Sequence, residues 1–143
     1  MPDHLTREQR SRAMSRVRLK NGPLEERVKK VLRAMGQRYE CDNRLMPGSP
    51  DIVLPRHRIA IFVDGDFWHG WRLSAWEHKL TQFWRDKLRT NRARDQRTFR
   101  RLRRSGWTVC RIWEHQIKQN DRLERILTEV VRPREHGYRV LVR

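Results

Sequence analysis

Asp51 and Asp64 stand at the ends of two short apolar runs, Ile52 to Leu54 and Ile59 to Val63, and His69 follows five residues after the second aspartate. Runs this apolar belong to strands buried on both faces, so both carboxylates sit where the backbone leaves the core. A carboxylate held there, with further oxygen donors from the neighbouring strand, suits Mg²⁺, which takes hard oxygen ligands and keeps several waters. A histidine a few residues on is placed to take a proton from such a water. Taken alone, Asp51 after Pro50 would equally serve to cap a turn, and His69 would be an ordinary surface histidine.

A further carboxylate, Asp95, falls on a segment that reads as one long helix from about Leu80 to Ser105, closed by Gly106. Trp84, Leu88, Asn91, Asp95, Phe99 and Leu102 follow one another at steps of 4, 3, 4, 4 and 3, the spacing of a buried seam. A carboxylate on such a seam loses several kcal/mol of hydration unless it is paired. Two partners are open to it. His69 would be held in one tautomer and made more basic, as in the orienting pair of a general base; one of the many arginines would form a plain ion pair. From Arg85 to Arg104 the helix carries ten Lys or Arg against Asp86 and Asp95, a surface suited to following phosphates.

The remaining elements must hold these groups in place. Leu24, Val28, Val31, Leu32 and Met35 form a helical stripe that starts behind Pro23 and ends at Gly36. Glu25 in its first turn favours the helix N-terminus by about 0.3–1 kcal/mol, or reaches a metal through water. Gln37 to Cys41 reads as a first strand, and Met46 to Pro50 as the loop that delivers the chain to Asp51. Phe67 and Trp68 follow Asp64-Gly65-Asp66, so they are either core or rings that stack on or wedge between bases. Trp107 to Trp113 is another strand, and Leu123, Ile126, Leu127, Val130 and Val131 mark a last helix capped by Asn120-Asp121 and stopped by Arg132-Pro133. Ahead of all this, Thr6 and Gln9 have capping-box spacing in a segment with six basic and two acidic residues between Met1 and Lys20. Its few apolar residues bury little, which points to an arm lying on a partner.

At 143 residues and 36% hydrophobic content the chain supports one α/β or α+β domain with a modest core. Lys and Arg exceed Asp and Glu by 34 to 17, a net charge of +17 that points to a polyanion, nucleic acid first. No apolar run has the length of a membrane span and no signal-peptide pattern is present, so a soluble, cytoplasmic protein is expected. Cys41 and Cys110 are the only cysteines, too few for a disulfide framework or a four-cysteine zinc site, and read as core thiols.

SPDIV, IFVDGDFWH, FWRDKLRTNRARD and GWTVCRIWE, in this order and spacing, resemble the very-short-patch repair (Vsr) endonucleases over roughly residues 5 to 131. The resemblance implies a single α/β domain of restriction-endonuclease-like fold, a mixed sheet flanked by helices. It divides the chain into a DNA-contacting arm (1–20), an endonuclease core (21–134) and a tail (135–143). It implies a monomer that nicks one strand of double-stranded DNA beside a T:G mismatch with Mg²⁺ as cofactor. Asp51 and the main-chain carbonyl of Val63 would bind the ion, Glu25 would act through water, His69 would be the base and Asp95 its orienting acid. Met14, Phe67, Trp68 and Trp84 match side chains that enter the duplex, and Lys87 and Asn91 match residues that read the mismatched pair.

Two departures from the family pattern stand out. The positions of the family's structural zinc ligands are here Asp66, Trp71, Leu73 and His115, so no zinc is expected and Trp71 should pack that space. Asp64 replaces a histidine, which would make it a third metal ligand or weaken catalysis. The lysine of the wider restriction-enzyme superfamily is also missing, its positions being Ile61 and Val63, which favours a histidine-based mechanism.

Overall fold

The sheet is built from the apolar runs. In the computed structural model, which describes residues 22–41, 43–67 and 69–132, four strands lie in the order β1 (Glu40–Cys41), β2 (Ile52–Leu54), β3 (Ile59–Asp64) and β4 (Thr108–Trp113). β1 and β2 are antiparallel, as are β2 and β3, whereas β3 and β4 run parallel with Phe62 opposite Arg111 and Asp64 opposite Trp113. A parallel pair needs a crossover, and here it carries α2 (Leu73–Trp76), a 3₁₀ turn (Glu77–Lys79) and the 23-residue helix α3 (Gln82–Arg104). The sheet is thus mixed, as expected, although its first strand is shorter than the Gln37–Cys41 reading.

Side-chain alternation along the strands sorts the core into two layers. Ile59 and Ile61 of β3 with Cys110 and Ile112 of β4 face α1 (Pro23–Ala34), α4 (Glu114–Ile117) and α5 (Asn120–Val131), packing on Val28, Leu32, Ile117, Leu123 and Leu127. Ala60, Phe62 and Val109 face the other way, onto Phe99 and Leu102 of α3. The same alternation puts Asp64, two residues beyond Phe62, and Arg111, two beyond Val109, on the α3 side. Two charged residues therefore enter the layer that also receives Asp95.

The loop before β2 is fixed on α3 by a close approach. Gly48 has φ +73°, and a β-carbon there would fall 2.3 Å from Thr98 Cγ2 and 3.3 Å from the Phe62 ring. Only glycine fits both constraints. Thr81 caps α3, its hydroxyl accepting from the Trp84 amide at 3.4 Å.

Candidate active site

Asp51 immediately precedes β2, and its Oδ2 accepts a hydrogen bond from the Val63 amide on β3 at 2.7 Å. The two residues expected to share a metal are thereby neighbours. Asp64, at the end of β3, is 4% exposed. His69 sits in the following loop, a set of nested turns in which the amides of His69, Gly70 and Trp71 donate to the carbonyls of Gly65, Phe67 and Asp66. That loop turns the imidazole toward α3. Its Nδ1 lies 2.8 Å from Asp95 Oδ2 and its Nε2 lies 3.3 Å from Asp64 Oδ1. Among the described residues, Asp64, His69 and Asp95 form the group of acids and histidine whose ligand atoms fall within 4.8 Å of one another.

The sequence reading left two partners open for Asp95, and both are present. Arg111 of β4 donates from Nη2 to the same Asp95 Oδ2 at 2.8 Å and from Nε to Asp64 Oδ2 at 2.5 Å. Its guanidinium also lies over the rings of Trp113 and Phe99, at 4.2 and 5.2 Å. Arg111 was not among the residues singled out by sequence. The signal was a charge inside the otherwise apolar strand TVCRIW, which obliges a buried partner.

The charges oppose one another in a defined way. Burial pushes the Asp64 carboxyl above the usual carboxylate range, against the pull of His69 and Arg111, and the neighbouring charges of Asp95 and Asp51 push it the same way as burial. Burial disfavours charged His69, but the hydrogen bond to Asp95 and the charges of Asp64 and Asp95 outweigh it and leave the imidazole raised. Glu25 lies outside this cluster, buried in the first turn of α1. Asp64 is engaged by Arg111 rather than standing open as a third ligand.

The aromatic residues divide. Phe67 is half-buried, stacked on Trp76 with centroids 5.8 Å apart and edge-on to Trp84 at 5.4 Å. Trp84, matched to a side chain that enters the duplex, is 0% exposed here, on the buried seam of α3 with Leu88 and behind Phe67. Lys87 and Asn91 are half-buried on the same helix. Met14, Trp68, the N-terminal arm and the tail lie outside the described residues.

The four positions of the family zinc do not suit the ion. His115 Nδ1 is 2.8 Å from Asp66 Oδ1, the Trp71 ring packs on His115 with centroids 4.3 Å apart, and Leu73 is buried with Leu80 and Trp84. Two of the four side chains offer no donor, and the other two are bonded to each other. Trp71 fills this space and also accepts, through its carbonyl, a hydrogen bond from Trp76 Nε1 at 2.9 Å.

Residues 2–75 match the family described as DNA mismatch endonuclease Vsr. The chain is 36% identical over 135 residues to the type II nicking enzyme V.XorIIP of Xanthomonas oryzae, covering 93% of this chain and 99% of that protein. It belongs to the Vsr family. It is also 36% identical over 122 residues to the type II nicking enzyme V.HpaIIP of Haemophilus parainfluenzae (82% and 86% of the two chains). To the DNA mismatch endonuclease Vsr of Escherichia coli it is 31% identical over 123 residues (84% and 79%). As a Vsr-family member it is a DNA endonuclease, and its charge of +17 accords with DNA as partner. Among the described residues no helix is long and apolar enough to cross a membrane.

Proposed function

We propose that this Vsr-family protein nicks one strand of duplex DNA beside a T:G mismatch with Mg²⁺, His69 acting as general base. The observation that carries this reading is His69 held at Nδ1 by Asp95 at 2.8 Å, at the mouth of a cluster of carboxylates. A hydrogen bond at Nδ1 leaves Nε2 as the proton-accepting nitrogen; it lies 3.3 Å from Asp64 Oδ1, so an attacking water would take the place of that carboxylate beside it. Asp95 orients the ring and balances the charge that forms on it. Arg111 keeps Asp95 and Asp64 in place from the other side.

The donors suit a hard divalent cation, since the carboxylate of Asp51 and the main-chain carbonyl of Val63 are hard oxygen ligands at adjacent strands. Asp51, with the main chain of Val63, would hold it, and Glu25 would act through water. When bound, the ion would neutralise charge on the attacked phosphate and on the departing oxygen. Mismatch recognition is assigned to Lys87 and Asn91, with Phe67, Trp68 and Met14 entering the duplex at a step already weakly stacked. The names of the relatives support both halves of the reading, one as a mismatch endonuclease and others as nicking enzymes.

Cleavage of end-labelled duplexes that differ in a single T:G or C:G pair, with Mg²⁺ or with EDTA, tests it. One metal-dependent nick confined to the T:G duplex is expected. Cutting of both duplexes, or of both strands, would assign a restriction-type specificity instead. His69→Ala should abolish cleavage yet leave binding to the T:G duplex within about tenfold, or roughly 1.4 kcal/mol; equal loss of both would remove His69 from the role of base.

A further inference from the structure

We infer that the arginine-lined cleft beside His69 holds the backbone of the cut strand to one side of the reacting phosphate. This rests on the endonuclease reading. The cleft has a volume of about 710 Å³, is lined by His69, Arg72, Arg92, Arg100, Arg103 and Arg111 among others, and none of the described residues lining it is a carboxylate. A hollow with several guanidiniums and no acid is built for an anion.

Its shape fits a run of phosphates. Arg92 and Arg100 are exposed and lie eight residues apart on α3, about 12 Å along the axis at 1.5 Å per residue. For a duplex axis running along α3, at about 3.4 Å of rise per nucleotide, that span covers between three and four steps of one strand. Arg72, from the loop after β3, also lines the cleft; its backbone is left-handed, φ 50°, uncommon for a long side chain, and its guanidinium stacks on Trp71 at 4.7 Å. Arg85 and Arg89, by contrast, are engaged by the Leu80 carbonyl and by Glu77.

The cleft also lies on a defined side of the site. At 3.6 residues per turn, Arg92 and Arg100 fall on one flank of the seam formed by Leu88, Asp95 and Leu102, and Lys87 and Thr98 fall on the other. A strand read at Lys87 and cut at His69 therefore crosses α3 at the level of Asp95 and continues into the cleft.

Binding of a T:G duplex by the whole protein, followed by fluorescence anisotropy in EDTA from about 50 to 200 mM NaCl, tests this. Arg92→Gln/Arg100→Gln should lower the slope of log K against log salt by about 1.8, at roughly 0.9 per lost phosphate contact, while Arg125→Gln on α5 leaves it unchanged. Single methylphosphonates placed along the strand that wild type nicks then locate the contact. Those on one side of the nick should weaken wild type and not weaken the double variant further. An unchanged slope, or coupling confined to the uncut strand, would overturn the assignment. If wild type binds but never cuts, the endonuclease reading fails, and the slope still decides whether the cleft takes phosphates.

Discussion

Asp64 has almost no access to water, and His69 and Arg111 are the charges that pull its carboxyl back against burial. Removing one partner of a buried pair leaves the other uncompensated, whereas removing both exchanges a costly pair for apolar packing. Arg111→Leu should therefore destabilise the fold by about 3–5 kcal/mol, and Asp64→Asn with Arg111→Leu should recover much of that loss. Urea denaturation midpoints of the two variants check it; equal destabilisation would mean that packing of Arg111 on Trp113 and Phe99, not its charge, is what matters. At this scale the sequence was informative wherever a charge sat on an apolar seam. Asp95 announced a partner in that way, and it has two, His69 and Arg111. Arg111 carried the same signal in a strand, but a period of two over six residues is easily read as a plain β-strand, and a chain with 34 basic residues hides one that matters.

Elements with a long period were legible and short ones were not. The stripes of α1, α3 and α5 and the apolar runs of β2, β3 and β4 match the structure to within about two residues, which is the usual ambiguity of helix and strand ends. α2, the 3₁₀ turn and α4, at three or four residues each, have no repeat to detect. The position of Trp84 tests how α3 is used. A wedge residue lost to alanine would weaken DNA binding and leave stability alone; because Trp84 is fully buried, Trp84→Ala should cost about 3–5 kcal/mol by thermal or chemical denaturation. Gly48→Ala should likewise destabilise the chain, by more than the ~1 kcal/mol that a positive φ alone imposes, because the added methyl meets Thr98. Since Gly48 sits three residues before Asp51, loss of cutting is expected to accompany it.

For the molecule as a whole, the two thiols report on whether the sheet is closed. Cys110 on β4 is fully buried in the core layer, and burial pushes its thiol up to about 12, while Cys41 on β1 is partly accessible. Thiol titration of the native protein at neutral pH should find one reactive cysteine, and two in denaturant; two in the native state would mean that β4 does not stay packed. Domain count, the sign of the surface charge and the layered arrangement were all legible in composition and periodicity, because they depend on sums over many residues. Which groups meet was less so, because β3 and β4 run parallel and the helix between them must be complete before they can pair. That topology also sets a timetable. Asp64 and Arg111 are 47 residues apart. At about 5–20 residues per second of synthesis, the strand end bearing Asp64 waits on the order of 2–10 seconds for the guanidinium that neutralises it. A growing chain that has not yet made β4 thus has its antiparallel strands but neither the parallel pair nor the guanidinium that faces Asp64 and Asp95.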